Sequence, residues 1–138
     1  MSTTRSAKGH AFEDLSHAVI GACIDVQRQL GPHCMEIDYQ RALALALKKR
    51  GLWYQREVEI AITFDDEVVT RRRADFVIGD DAGNELLLEL KAASAIQPED
   101  VEQCLLYLQK GGYRVGLLVN LGQKPLAVKR FVNSRGRL

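Results

Sequence analysis

Two acidic residues interrupt segments of the chain whose composition is otherwise typical of buried β-strands. Asp75 directly precedes Phe76-Val77-Ile78, and Glu89 directly follows Leu86-Leu87-Leu88. Asp and Glu are depleted in strands, and ionised side chains are almost never buried without a partner. The pattern therefore predicts that the two carboxylates perform a chemical task within the sheet.

The segment between the two strands predicts how they pair. It consists of the turn formers Gly-Asp-Asp-Ala-Gly-Asn, which are typical of a hairpin connection. If the turn closes symmetrically, Gly79 faces Glu85. Counting back along both strands then sets Asp75 opposite Glu89, where Cβ atoms are about 5 Å apart and like charges repel. Strand alternation puts Lys91 on the face of Glu89, so the spacing predicts a cation site with a basic group beside it.

A hairpin with a solvated charged face is the alternative interpretation. Glu89 and Lys91 would then form an exposed pair that contributes little to stability. The unbroken apolar segments 76–78 and 86–88 are instead typical of central strands that are covered on both faces. They favour a functional site, although structural ion pairs can imitate one.

The rest of the chain supplies the elements that would hold this hairpin. Apolar residues at helical spacing predict helices over 12–30 and 35–50, each followed by glycine, and an alternating segment predicts a strand over 53–64. The later predicted elements are the strands that carry Asp75 and Glu89, a helix over 99–110, a strand over 113–120 and a short helix over 125–131. The order α-α-β-β-β-α-β-α predicts an α/β fold, a three-layer sandwich around a mixed central sheet.

Length and composition predict a single domain without a strong overall charge. A chain of 138 residues is near the commonest domain size. We expect the domain to cover residues 12–133, with a flexible N-terminal tail over 1–11 and a basic C-terminal tail over 134–138. With 19 basic and 18 acidic residues the net charge is +1, so any attraction to nucleic acid must be local.

The run Arg71-Arg72-Arg73 is the best candidate for such local attraction. Because side chains alternate along a strand, Arg71 and Arg73 are expected to share the face of Asp75 and to bind nucleic acid, with Arg72 on the opposite face. The alternative is that the arginines only protect an exposed strand end from aggregation. The sequence favours neither interpretation over the other.

Gln103 and Tyr107 are the remaining polar candidates. They are four residues apart in one predicted helix and so belong to the same face, while Val101, Leu105 and Leu108 form a more apolar face that should pack against the sheet. Gln103 and Tyr107 could then lean over the acidic edge of the sheet and position water or a phosphate. An ordinary helix flank is the alternative.

The cysteines indicate neither a disulfide framework nor a metal centre. Cys23, Cys34 and Cys104 are scattered and lack a C-x-x-C spacing, which argues against a zinc site or an iron–sulfur cluster. The sequence shows no signal peptide and no transmembrane segment. We therefore expect a reduced, cytoplasmic protein that does not enter a membrane.

Several of these residues together resemble a known group of nucleases. Asp75 followed by Glu89-Leu90-Lys91 resembles the signature of the PD-(D/E)XK nuclease superfamily, with Ala74 where a proline is expected. Gln103 and Tyr107 resemble the Q-x-x-x-Y element of the recombination nucleases within that superfamily.

An earlier part of the chain resembles the small bacterial GxxExxY family of the same superfamily. Residues 20–32 resemble its opening helix and loop, and Glu36 and Tyr39 match the name-giving motif, with His33 in place of the first glycine. A carboxylate at the start of a helix is also explained by the helix dipole alone. The resemblance covers residues 12–133, nearly the whole chain.

The resemblance implies a restriction-endonuclease-like fold and metal-dependent hydrolysis of phosphodiester bonds, most often in DNA. The implied metal ligands, for Mg²⁺ or Mn²⁺, are Glu36, Asp75, Glu89 and the carbonyl of Leu90. The implied catalytic residues are Asp75, Glu89, Lys91, Gln103 and Tyr107. Hard oxygen ligands suit these ions, which activate water, and Lys91 would orient that water or stabilise the transition state.

Two further functions remain open from the sequence. The first is a module that keeps the fold, binds nucleic acid or protein, and has no catalytic activity. The second is a structural or regulatory protein whose sheet edge or helices build an oligomer, a homodimer in the simplest case. The presence of Asp75, Glu89 and Lys91 argues against the first, whereas the nearly neutral overall charge argues for it.

Overall fold

Three helices and five strands follow one another in the computed structural model, which describes residues 4–133 and the side chains from residue 12 onward. In chain order they are α1 (Thr4–Leu30), α2 (Glu36–Lys49), β1 (Trp53–Phe64), β2 (Glu67–Gly79), β3 (Glu85–Lys91), α3 (Pro98–Gly111), β4 (Val115–Asn120) and β5 (Ala127–Val132). The predicted C-terminal tail, residues 134–138, lies outside the described residues, as do residues 1–3.

The strands form one mixed sheet in the order β1-β2-β3-β4-β5. β1, β2 and β3 form an antiparallel meander, β3 and β4 run parallel, and β4 and β5 run antiparallel. α3 provides the crossover that a parallel pair requires. The predicted mixed central sheet is confirmed.

Two apolar cores lie on the two faces of this sheet. In the larger core, α1 and α2 pack against Phe76 and Leu88. In the smaller core, Leu108 of α3 packs against Ile60 and Leu87. The predicted α/β fold, with helices on both sides of a mixed sheet, is therefore confirmed.

The last element differs from the prediction. The helix predicted over 125–131 is wrong, because Ala127–Val132 form the edge strand β5 and pair with β4 along its whole length. Every residue of β4 is buried. Without β5 the backbone groups on its outer edge would lack hydrogen-bond partners. The segment forms a strand because β4 needs a hydrogen-bonded neighbour, which the local sequence pattern does not indicate.

The first helix begins earlier than predicted. α1 starts at Thr4, so the helix extends over residues 4–11 as well. No helix in the described part of the chain is long and apolar enough to cross a membrane.

Side-chain alternation reverses part-way along β1 and β2. Ala74 packs in the core under α3, whereas Phe76 packs in the core under α1 and α2. Residues two apart share a face in a regular strand, so the reversal falls at Asp75. Across from Asp75 in β1, Glu57 has a φ of 52°, which is uncommon for a residue other than glycine. The candidate site thus lies at an irregular position of an otherwise regular pair of strands.

Candidate active site

Asp75 and Glu89 come together where β2 and β3 stop pairing. The predicted register is confirmed, since Gly79 pairs with Glu85. Beyond the paired residues, the N–H of Asp75 donates to Oε2 of Glu89 at 2.7 Å, and the N–H of Leu90 donates to Oδ2 of Asp75 at 2.8 Å. Each carboxylate accepts an amide hydrogen bond that a strand carbonyl would otherwise accept. This explains how two acids are accommodated in an apolar sheet.

Burial and repulsion make the negative charge of this acid pair costly. Glu89 is only 3% exposed. Burial, and then the charge of Asp75, raises the pKa of Glu89 to about 7. Burial also raises the pKa of Asp75 to about 6, against the opposing effect of the hydrogen bond from Leu90. The charge of Lys91 lowers both pKa values but does not offset the effect of burial.

Lys91 is a fixed cation next to the acid pair. Its Nζ lies 3.5 Å from Oδ1 of Asp100, whose other oxygen accepts the N–H of Gln97 at the start of α3. Burial lowers the pKa of Lys91, but the charges of Asp100, Glu36 and Glu89 outweigh burial, and the pKa is raised overall. The ammonium therefore stays charged at neutral pH.

Gln103 and Tyr107 face the acid pair from α3. Gln103 donates from Nε2 to Oε1 of Glu89 at 3.2 Å. Tyr107 is buried, and burial together with the charge of Glu89 raises its pKa. The predicted apolar face of α3 is partly wrong, because Leu105 is exposed and Cys104 is fully buried. Packing Cys104 inward turns the helix so that Tyr107 also points toward the sheet.

Glu36 approaches the pair from the start of α2. Its Oε1 accepts a hydrogen bond from Nε2 of Gln40 at 3.5 Å, and Oε1 of Gln40 accepts one from Nη2 of Arg56 at 3.1 Å. The Arg56 guanidinium lies 5.7 Å from the centre of the Phe76 ring. Glu36 raises the pKa of Asp75 and Arg56 lowers it. Both side chains are therefore close enough to act on the acid pair.

Sequence reasoning missed Arg56, Gln40 and Asp100. Arg56 occupies an ordinary polar position in an alternating strand, and its buried Nε has no hydrogen-bond partner among the described residues. Only the pairing of Arg56 with Phe76 across the sheet brings it near Asp75. The position of Asp100 in the sequence could have indicated a helix cap, since an acid in the first turn of a helix is a common cap. Nothing in the sequence connects Asp100 with Lys91.

The arginine run is oriented differently from the prediction. Arg72 pairs across the sheet with Ile60, which packs in the core under α3, and it acts on Tyr107 as a hydrogen-bond partner and a positive charge. The predicted placement of Arg72 away from the site is wrong, because alternation reverses between the run and the acid pair. The binding of nucleic acid by Arg71 and Arg73 stays a prediction.

The acids, the lysine and the elements that carry them are matched by one family of known proteins. The match to the PD-(D/E)XK nuclease superfamily covers residues 13–131. The chain belongs to this superfamily. Separate searches of curated proteins and of solved structures find no match. The superfamily is thus established, while the narrower resemblance to the GxxExxY family stays a prediction.

The acid pair has the chemistry that a divalent ion requires in a nuclease of this superfamily. Mg²⁺ is commonly held by one or two protein carboxylates together with water and substrate phosphate. Oδ2 of Asp75 is used by the Leu90 N–H, whereas no donor among the described residues reaches Oδ1. In the same part of the chain, no three His, Cys, Asp or Glu side chains are grouped as ligands. The role of Glu36 as a direct ligand therefore stays a prediction.

The acid pair predicts a pH-dependent stability in the absence of metal. Both acids protonate more readily in the fold than in the unfolded chain. Their contribution to stability is therefore complete below the ordinary carboxyl pKa values and is lost as the pH rises through about 6 and about 7. At about pH 8 the free energy of unfolding of Glu89→Gln should exceed that of the wild type by on the order of 2 kcal/mol, because glutamine carries no charge. Urea unfolding in EDTA from about pH 5 to 8 measures this difference.

The exposed carboxylate of Glu85, on the same strand, provides the matched control for this measurement. Glu85→Gln should follow the wild-type pH profile. The Gln103 amide can reorient to accept a hydrogen bond from the new amide, so Glu89→Gln keeps its local contacts. A Glu89→Gln profile parallel to that of the wild type would show that the pair carries no unfavourable charge.

Proposed function

We propose that this protein hydrolyses phosphodiester bonds in DNA with the aid of Mg²⁺ or Mn²⁺. The observation that supports it best is the acid pair itself. Asp75 and Glu89 exchange hydrogen bonds with each other's strands, both have raised pKa values, and the ammonium of Lys91 lies beside them. Buried like charges destabilise a fold, but they are suited to binding a cation together with a phosphate.

The proposed ligands are the carboxylates of Asp75 and Glu89, with Glu36 and the Leu90 carbonyl as further ligands. When bound, the metal ion supplies a Lewis acid that activates water and offsets the negative charge of the phosphate. Gln103 holds Oε1 of Glu89 by its hydrogen bond and so fixes the orientation of that carboxylate.

Lys91 supplies the main charge that this chain offers to the transition state. Its raised pKa means that it acts as a cation and not as a general base. An ammonium next to the scissile phosphate stabilises the negative charge that accumulates as water attacks, and its N–H groups can orient that water. Asp100 keeps the ammonium in place before substrate binds. Tyr107 is proposed to help position the substrate phosphate.

The GxxExxY assignment is part of the proposal. Tyr39 is fully buried, and its hydroxyl donates to the carbonyl of Gly31 and accepts the N–H of Cys34 at 3.2 Å. These bonds fasten the loop that leads into α2, at whose first residue Glu36 stands. The tyrosine and the acid of the motif thus have a physical connection that supports the assignment.

A cleavage assay tests the proposed function directly. Plasmid, single-stranded DNA and RNA are each incubated with purified protein in Mg²⁺, Mn²⁺ or EDTA. We expect metal-dependent cleavage of DNA by the wild type and by the control Glu85→Gln, and a loss of at least roughly a hundredfold in Glu89→Gln. If the wild type binds DNA but no metal supports cleavage, the protein is instead a binding module on this fold.

A further inference from the structure

The three consecutive arginines of β2 differ in how their charges are used. Nε of Arg71 lies 3.6 Å from Oε2 of Glu59, and Nη1 of Arg73 lies 3.3 Å from Oε1 of Glu57. All four side chains are exposed. No carboxylate among the described residues forms an ion pair with Arg72. Two of the three arginines are thus partly neutralised by β1, and the middle one keeps its full charge.

Arg72 also differs in the face that it occupies. It pairs with Ile60, and Ile60 packs with Tyr107 and Leu108 in the core under α3. The Arg72 side chain therefore lies on the α3 side of the sheet, where it meets the Tyr107 hydroxyl. Arg72 is itself exposed to solvent. A ligand that lies along this side of the sheet can reach it.

Gln103, Tyr107 and Arg72 form a continuous series of polar groups that we call the α3-side row. Gln103 contacts Glu89 of the acid pair. Tyr107 follows one helical turn later, about 6 Å further along the helix axis, and Arg72 lies next to Tyr107. The row therefore begins at the proposed scissile site and ends at an unneutralised guanidinium.

We propose that Arg72, oriented by Tyr107, binds a backbone phosphate of the substrate strand next to the phosphate that is cleaved. The inference rests on the proposed function and adds the direction in which the strand leaves the acid pair, along the α3-side row. Guanidinium groups bind phosphate through two parallel hydrogen bonds. A buried tyrosine ring restricts the rotamers of the arginine that contacts it, which lowers the entropy lost when the phosphate binds.

Binding of DNA in EDTA tests the inference apart from cleavage. The probe is a fluorescein-labelled single-stranded DNA oligonucleotide, followed by anisotropy over a series of salt concentrations. We expect Arg72→Ala to bind roughly tenfold more weakly, with a salt slope lower in magnitude by about 0.7 because one phosphate contact is lost. Arg28→Ala is the control, because Arg28 is an exposed arginine of α1 that pairs with Asp25, and this variant should bind nearly as the wild type.

Two further variants test the role of Tyr107. Tyr107→Phe keeps the ring and removes the hydroxyl, so it should weaken binding less than Arg72→Ala without changing the salt slope. The double variant should bind no more weakly than Arg72→Ala alone, since Tyr107 acts through Arg72. Thermal unfolding of each variant verifies that the fold is kept.

The outcomes separate this inference from the proposed function. Unchanged binding by Arg72→Ala, an equal loss in Arg28→Ala, or no binding by the wild type would each overturn the inference. Cleavage by the wild type with unchanged binding by Arg72→Ala leaves the proposed function intact and removes the inference alone. Loss of binding in Arg72→Ala, in a protein that cleaves nothing, supports the phosphate contact of Arg72 and removes the proposed function.

Discussion

Replacing Lys91 with alanine should abolish DNA cleavage while metal binding persists. Removing a transition-state charge in a partly buried site costs on the order of a hundredfold or more in turnover. Metal affinity should stay equal or rise slightly, because a cation that repels the metal is removed. Single-turnover cleavage of plasmid DNA measures the first effect, and the metal-induced rise of the melting temperature measures the second.

The exposed Lys110, at the end of α3, provides the control for this experiment. Lys110→Ala should cleave at the wild-type rate. Lys91→Met keeps most of the aliphatic side chain and should be as inactive as Lys91→Ala, which separates loss of charge from loss of packing. Cleavage at the normal rate by Lys91→Ala would show that the lysine has no catalytic role.

Mg²⁺ or Mn²⁺ should raise the melting temperature of the wild type. An ion that binds only the folded state at about 100 times its Kd adds about 2.7 kcal/mol to the free energy of unfolding, which is roughly 10 °C for a domain of this size. Glu89→Gln should lose most of this rise without unfolding, because half of the acid pair is gone. Differential scanning calorimetry at about pH 8, where both acids are ionised, is the measurement.

Glu85→Gln again serves as the control, since it removes a carboxylate from the same strand at a solvated position. It should keep the full metal response, and so should Lys91→Ala. A metal response that is unchanged in Glu89→Gln would place the metal site elsewhere in the chain.

The local sequence was sufficient to predict the hairpin at the centre of the site. Turn residues between two apolar segments determine a register, and a register determines which residues face each other. For this reason the pairing of Gly79 with Glu85, and the meeting of Asp75 with Glu89, could be predicted from residues close together in the chain. The α/β class followed for the same reason, since the spacing of apolar residues is a local signal.

Features that depend on distant segments could not be predicted in this way. The arginine run was assigned to the wrong face because a count along β2 assumes regular alternation, and the alternation reverses at Asp75 opposite the unusual backbone of Glu57. The final segment was predicted as a helix because its local pattern does not show that it pairs with β4. That pairing makes it a strand.

The sequence by itself determined which residues are candidates for the chemistry, since acids within apolar strands are unusual at any position in a chain. Only the tertiary structure decided what surrounds them. Arg56 reaches Asp75 from β1, and Asp100 reaches Lys91 from α3. The physical reason is that hydrogen-bond and charge partners across a sheet are selected by packing and strand pairing. Neither leaves a signature at the partner's own position in the chain.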